Sequence, residues 1–513
     1  MELLSRKPTV LCILDEFSFN CFKPECEKLI PLHQKIWKDQ LEENKIDFLL
    51  CESAWRPIGN YFVIGARDPK KRRIFYNQLK QITSYVKSLG IPTVFWNKED
   101  NKHYNHFKAF AKLFDYIFTT DSRTLPLYRR ECGQAKGINV LTFAAQPILH
   151  NPIKIEENKY EGDIFFAGGW YNFPARVQEL NELLQLPGSI KLHIYERGFT
   201  GKNSKFPMKF RHRIRKGISY VEMSKKYKRY PIMLNVNSVK GSPTMFSRRV
   251  PEALLCGITV VTSPSLSISK LFPHVFISAT SQRLETVIRN LLQNNEFRHE
   301  HNHNSRRNIL QKHTYFNKMI QICKTIGIQP PKYKTGVINL YVTSDNSTHN
   351  HLLLSDIQKQ TYNDVICNIE VSNNDVFMNV LKNLFLFRML PDGNINENIG
   401  FVCVFHNKSR YEANYISDLI SSYQYFKEID IIGKACVNIW ENDKLILNSP
   451  ELEHVYTTNI NPHTVSISLA GDVNKREKKL NYLKNVLYGT NLPLKNLKIY
   501  SSDRYNFVDI KND

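Results

Sequence analysis

One short run carries residue types suited to a phosphorylated ligand: Met245-Phe246-Ser247-Arg248-Arg249-Val250-Pro251-Glu252-Ala253-Leu254-Leu255-Cys256-Gly257. It feeds an apolar stretch over 258–262. The pattern predicts a helix that opens on two arginines, carries one acid a turn in and stops at a glycine. Guanidinium groups beside a helix N-terminus suit a doubly charged phosphate. An acid one turn further in can accept hydrogen bonds from a ribose diol. A nucleotide sugar presents both groups. The run reads equally as an amphipathic helix whose arginines are simply solvated.

Three further residues belong to the same chemistry. Gly168 and Gly169 follow an apolar strand and precede a helix, where missing side chains let phosphates approach backbone N–H groups. Arg176 stands near the start of that helix and could reach the same phosphates. A plain tight turn and an exposed helix arginine are the competing readings. Candidates for a general base lie earlier, at Glu52, Glu99, Asp100 and His103, each just after an apolar strand. A carboxylate or imidazole that takes the proton of an attacking sugar hydroxyl contributes roughly 10²–10⁴-fold. Each also reads as a helix N-cap or surface residue, and a retaining transferase needs no such base. Trp55 and Trp96, beside them, are sugar-stacking platforms or cleft walls. His301 and His303 resemble a metal pair only superficially and are expected to face solvent, so no metal site is expected. Walker A, GxSxG, HExxH and dinucleotide GxGxxG patterns are absent from the sequence.

Parallel sheets must position these residues. Continuous apolar runs over 9–14, 47–51, 92–96, 116–119 and 139–143 alternate with helix-period stretches such as 73–90 and 105–114. Strands apolar on both faces belong to a parallel sheet covered by helices on each side. A second series follows at 163–167, 190–195, 232–236, 258–262 and, weakly, 274–278, with a helix over 174–186 and a helical tail over 281–327. Ligands of such sheets bind beyond the carboxyl ends of the strands, which is where the candidates cluster. Pro330-Pro331 marks a further boundary, beyond which a strand over 337–343, a helix ending at 360 and a strand over 365–370 begin another α/β unit. The expected domains are 1–155, 156–333 and 334–513.

Bulk properties set the limits. A chain of 513 residues is too long for one core. The formal net charge of +22 predicts attraction to polyanions without choosing among them. Basic residues crowd 202–229, with Glu222 the one acid in that span. That run is a solvated face or a docking strip for an anionic acceptor or membrane; specific nucleic-acid binding is not expected. The 10 cysteines form no CxxC pair and read as buried reduced thiols. With no signal-peptide core and no bilayer-length apolar stretch, the expectation is a soluble cytoplasmic protein, peripheral to a membrane or spore at most.

Longer motifs resemble a known family. Glu52-Ser53-Ala54-Trp55, Pro92-Thr93-Val94-Phe95-Trp96-Asn97-Lys98-Glu99-Asp100, Phe114-Asp115-Tyr116-Ile117-Phe118-Thr119-Thr120-Asp121 and Phe143-Ala144-Ala145-Gln146-Pro147 resemble the N-terminal domain of the CgeB-like (spore maturation protein) glycosyltransferases. Phe166-Ala167-Gly168-Gly169 and Arg249-Val250-Pro251-Glu252 with Cys256-Gly257 resemble that family's donor domain. The resemblance covers about residues 8–325. It implies two Rossmann-like domains in a GT-B arrangement, with Glu252 on the donor ribose and Arg249 on its diphosphate. Many GT-B enzymes carry a second acid eight residues earlier, where this chain has Thr244, and Pro251 replaces the family's usual aromatic residue. The last block, through Gln360-Thr361-Tyr362, 411–418 and Ile431-Ile432-Gly433-Lys434, resembles a family-2-type GT-A domain. Its acidic metal motif is replaced by His406-Asn407-Lys408-Ser409, and a lysine there repels a divalent cation. This implies a non-catalytic remnant.

The expected function is therefore a metal-independent glycosyltransferase with no cofactor beyond its nucleotide-diphosphate-sugar donor. The acceptor would be a cell-surface, spore-associated or protein hydroxyl. A non-catalytic spore-surface scaffold and a polyanion-binding protein are the alternatives. Oligomeric state is not legible.

Overall fold

A computed structural model describes residues 6–171, 174–201, 203–331, 337–343, 350–362, 365–369, 399–458, 460–468, 478–479 and 497–510. Two compact units divide at Pro331 and Lys332.

In the first unit, strands β1 (Thr9–Ile13), β2 (Lys28–Pro31), β3 (Phe48–Glu52), β4 (Thr93–Asn97), β5 (Tyr116–Thr119) and β6 (Gly137–Val140) form one sheet. Their order is β2-β1-β3-β4-β5-β6 and every neighbouring pair is parallel. β1, β3 and β4 are buried along their whole length, as their unbroken apolar runs require. Helix Pro69–Ser88 starts before the expected residue 73 because Asp68 caps it through the Lys70 N–H and Pro69 takes the first turn.

A second sheet combines β7 (Ile164–Gly168), β8 (Leu192–Glu196), β9 (Ile214–Arg215), β10 (Ile232–Asn235), β11 (Thr259–Thr262) and β12 (Phe276–Ile277). Its order is β12-β11-β10-β7-β8-β9, again all parallel. Residues 1–155 supply every strand of the first sheet and 156–333 every strand of the second. The fold class is thus α/β, two Rossmann-like lobes in the GT-B arrangement. The strand order reverses between β1 and β3 in the first lobe and between β7 and β10 in the second. Such switch points open a crevice at the strand carboxyl ends.

Several contacts join the lobes. Ser122 donates its N–H to Thr244 Oγ1 (2.9 Å), which donates to the Thr120 carbonyl (2.9 Å), and Ser242 Oγ donates to Asp121 Oδ1 (2.8 Å). Thr244, standing where an acid was expected by resemblance, is a seam residue. The helical tail is three helices, Ser281–Gln293, Asn295–Lys312 and Tyr315–Ile326. The last returns to the first lobe: Tyr315 donates its N–H to Ala145 O (3.0 Å), Lys318 Nζ to Thr142 Oγ1 (2.8 Å) and Gln321 Nε2 to Val140 O (2.6 Å).

The second unit is α/β as expected. β13 (Val337–Thr343), β14 (Val365–Ile369), β15 (Ile399–His406), β17 (Ile431–Gly433), β20 (Val455–Tyr456), β21 (Ser466–Ser468) and β22 (Ile499–Ser501) form a mixed sheet ordered β14-β13-β15-β21-β17-β22-β20. β16 (Ser409–Tyr411), β18 (Val437–Glu441), β19 (Lys444–Asn448) and β23 (Phe507–Ile510) form a smaller one. His406-Asn407-Lys408-Ser409 falls on the end of β15 and the turn into β16, where the His406 and His463 rings stack with centroids 4.1 Å apart. Nine free cysteines are described across the chain and all are buried. Among the described residues no helix is long and apolar enough to cross a membrane.

Candidate functional site

The expected helix is Arg249–Leu255, with Arg248 at its N-cap and Gly257 at φ +80° closing it. A side chain at Gly257 would be strained and would meet Arg306 Nη1 at 3.0 Å and Ile155 Cδ1 at 3.1 Å. Seven residues make a short dipole, so charge here comes mainly from side chains.

The two arginines are not solvated alike, and neither is simply exposed. Arg248 Nη1 donates to Glu252 Oε1 at 2.6 Å, four residues on. Its guanidinium lies over the Phe17 ring (4.4 Å) from the first lobe and the Tyr220 ring (4.7 Å) from the second. Glu252 is 1% exposed and also accepts from Tyr227 OH (2.8 Å) and Tyr220 OH (3.4 Å). Burial pushes its carboxyl up, but the Arg248 charge and the hydrogen bonds from Arg248 and Tyr227 more than offset this and hold it below the ordinary value. Tyr220 completes an interlobe knot through Cys21 Sγ (3.1 Å) and His150 Nε2 (3.2 Å). Burial lowers His150 to about 4, so it is a neutral imidazole.

Arg249 differs. Among the described residues it has no hydrogen-bond or ion-pair partner, while Arg248 and Arg176 both repel it. Burial, followed by those charges, brings it down to about 10 despite the pull of Tyr227 and Glu252. Arg249 is half-buried, and a partly desolvated cation without a counterion gains when an anion arrives.

Arg176 sits on the first turn of helix Pro174–Leu183 and is buried rather than exposed. Its Nη1 donates to Val236 O and Ser238 Oγ, both at 2.8 Å, just past the end of β10. It therefore spans the switch point of the second lobe. Gly168 ends β7, and a side chain there would strike the Phe166 ring at 2.8 Å; at Gly169 one would strike Tyr171 at 2.9 Å. Neither glycine has the positive φ of a tight turn.

At the first lobe's switch point stand Asp15, after β1, and Glu52, ending β3. Lys98, after β4, pairs with both, lying 2.8 Å from Glu52 Oε1 and in contact with Asp15 Oδ2. Glu52 is fully buried, and burial and the Asp15 charge push its carboxyl up against the pull of Lys98. Asp15, with a side chain 20% exposed, is the acid of this trio that reaches the surface. Its place after the first strand was visible in the sequence; the lysine that orients it was not. Asp100 is interior, accepting from Asn97 Nδ2 (2.7 Å), Thr119 Oγ1 (2.7 Å) and Tyr128 OH (3.0 Å). Burial lifts it to about 7 against those hydrogen bonds. Glu99 is half-buried and its N–H donates to Ser53 Oγ at 3.3 Å. Trp96 is a core residue whose Nε1 donates to Leu141 O (2.9 Å), whereas Trp55 is half-buried and stacks on His106.

Two expectations need correction. His303 does not face solvent: it is buried, with Nε2 2.9 Å from Arg307 Nη2. Among the described residues no group of three His, Cys, Asp or Glu could hold a metal. The basic run is not one uniform face. Arg213 donates to Leu184 O and Leu186 O, Lys226 pairs with Glu161, and Lys228 reaches Asn151 and Ile153 O. Lys205, Lys209, Arg211, Lys216 and Lys225 remain exposed, Phe206 and Phe210 are core, and Lys202 lies outside the described residues.

A family model described as glycosyl transferase-like matches residues 176–324, from Arg176 through the whole arginine–glutamate helix. The match spans less than a third of the chain, and makes this stretch a glycosyl transferase-like domain. Among solved structures, HepE from Anabaena in complex with UDP and glucose is similar at 13% identity, over 62% of this chain and 99% of that one, with a TM-score of 0.41. T4 phage BGT with UDP and Mn²⁺ is similar at 11% identity, over 62% and 99%, with a TM-score of 0.42. A Rickettsia africae glycosyltransferase gives 9%, 63%, 98% and 0.40. Likenesses of this degree carry no statement about chemistry. No curated protein sequence matches.

Proposed function

We propose that the first unit transfers a sugar from a nucleotide-diphosphate sugar to an acceptor hydroxyl. The carrying observation is Arg249, a half-buried cation with no hydrogen-bond or ion-pair partner among the described residues, placed inside the glycosyl transferase-like stretch. Its guanidinium would take the donor diphosphate and stabilise the departing charge where a metal ion could otherwise serve. Arg176 and the Gly168-Gly169 edge would line the same crevice. Glu252 would act on the ribose through whichever lone pairs Arg248 and the tyrosines leave, and its evident work is to hold that knot together.

The acceptor, a glycan or protein, would enter from the first lobe. Asp15 is the partly exposed carboxylate there, oriented by Lys98, and is better placed to receive a proton than Glu52 or Asp100. Glu99 remains a half-buried alternative. The CgeB-like assignment, with a spore or cell-surface acceptor, rests on the motif resemblance, as does the reading of the last unit as a GT-A-like docking remnant. Exposed Lys205, Lys209, Arg211, Lys216 and Lys225 support a separate contact with an anionic surface or polymer.

The test is titration of the full chain with UDP, GDP, TDP and CDP and their sugars by calorimetry and thermal shift. One nucleotide series is expected to bind the wild type and not Arg249→Met. Absence of binding by every nucleotide overturns the reading.

A further inference from the structure

We propose that the outward side of helix Pro69–Ser88 rests on an anionic lipid bilayer and docks the first lobe there. The contact is independent of whether a nucleotide sugar binds, and it stands or falls apart from the donor reading.

The helix carries six basic residues and no acid among its 20 residues. Leu79, Ile82, Thr83 and Val86 pack inward. Arg72 donates to the His106 carbonyl and Lys87 pairs with Asp115 at 3.6 Å, so these two serve the fold. Lys70, Lys71, Arg73 and Lys80 are exposed. Asp68, the acid that precedes the helix, is engaged as its cap by the Lys70 N–H. The same outward side exposes apolar groups. Ile74 is 55%, Tyr85 37% and Leu89, at the C-cap, 50% exposed. The step from Ile74 to Tyr85 is about three turns, so they lie in one line, and Leu89 follows about one turn further on. Between and beside them stand exposed Asn77, Gln81, Ser84 and Ser88, all neutral. Exposed Lys38 brings its Nζ over the Tyr85 ring at 5.9 Å and adds a cation at that end.

This pattern selects its occupant. Cations flank a line of apolar tips about 22 Å long from Ile74 to Leu89. Anionic headgroups would meet the lysines and Arg73, while Ile74, Tyr85 and Leu89 reach the boundary with the acyl chains. A water-soluble polyanion would use the cations and leave the apolar line in water. A second copy packed here about a two-fold axis would bring the same uncompensated cations against each other. The inward residues hold the helix to its own lobe, so it lies along the surface and does not enter it. That agrees with the described residues, among which no helix is long and apolar enough to cross a membrane.

The experiment is sedimentation of the full chain with vesicles of phosphatidylcholine, with and without phosphatidylglycerol. Binding is expected only where phosphatidylglycerol is present, and it should weaken as salt rises. Two variants divide the contributions. One combines Lys70→Glu, Lys71→Glu and Arg73→Glu; the other combines Ile74→Ser, Tyr85→Ser and Leu89→Ser and leaves the charge unchanged. Each is expected to lose at least about tenfold in vesicle affinity. The apolar variant should keep the wild-type retention on heparin and the wild-type melting temperature. Should its melting temperature fall, Ile74→Ser alone, at the most exposed of the three positions, gives the same comparison. No binding by the wild type, equal binding to both kinds of vesicle, or wild-type affinity in either variant overturns the proposal. Loss of vesicle and heparin binding together in the charge variant, with neither changed in the apolar one, assigns the face to a soluble polyanion and also overturns it. So does a wild-type oligomer that the apolar variant dissociates without loss of vesicle affinity, which assigns the face to a second copy.

Discussion

Arg248 and Glu252 face each other one helical turn apart at 2.6 Å, and that pairing leaves the adjacent Arg249 without a carboxylate. Two neighbouring arginines thus acquire opposite characters. One is a structural cation, clamped between aromatic rings of both lobes, and the other is a half-buried charge free to meet an anion.

Arg249→Met separates binding from stability. Donor affinity is expected to fall about ten- to a hundredfold, the scale of a charge-assisted hydrogen bond or two. The melting temperature should stay level or rise, because an uncompensated charge has been removed. Calorimetry and thermal denaturation on one sample check both.

Glu252→Gln should behave in the opposite way. The sequence alone suggests that this change depresses transfer and spares the fold. With the half-buried Arg248 paired against it, the loss of the carboxylate strands a cation, and the expected cost is about 2–4 kcal/mol. Adding Arg248→Met should recover part of that loss, and urea unfolding of the four proteins of the cycle measures the coupling.

Asp100 predicts a pH dependence. Its carboxyl is near its ordinary value when unfolded and raised to about 7 when folded. Above about pH 4 the unfolded chain therefore binds fewer protons at this site. The stabilisation is complete at acid pH and is lost as pH rises towards 7. Relative to Asp100→Asn, the wild type should lose stability between about pH 4 and about 7 in chemical denaturation.

The basic run should divide by partner. Arg213→Ala uncaps Leu184 O and Leu186 O and is expected to destabilise by about 1–2 kcal/mol. Charge reversal at Lys205, Lys209 and Arg211 should leave the melting temperature unchanged and shorten retention on heparin in a salt-dependent way.

Most of both parallel sheets was legible because their central strands are unbroken apolar runs. β2 and β9 were not, since Lys28–Pro31 is a half-exposed edge strand and Ile214–Arg215 has two residues. β6 runs earlier than the expected 139–143 because its register is set by pairing with Tyr116–Thr119. At the candidate site, Arg249 and Glu252 stood out by spacing. Their partners did not: Phe17, Cys21, His150 and Tyr220 reach the helix from distant parts of the chain, and no local pattern announces such a meeting. Glu52 and Asp100 looked like loop acids because they follow strands, yet Lys98 and Tyr128 draw them inward.

The return of helix Tyr315–Ile326 to the first lobe has a consequence for synthesis. Phe22 packs edge-on against Tyr315 at 4.8 Å, so the first lobe is completed only by a helix that is synthesised well after it. A nascent chain ending at residue 155 would leave that surface bare to water, and the two lobes must finish maturing together.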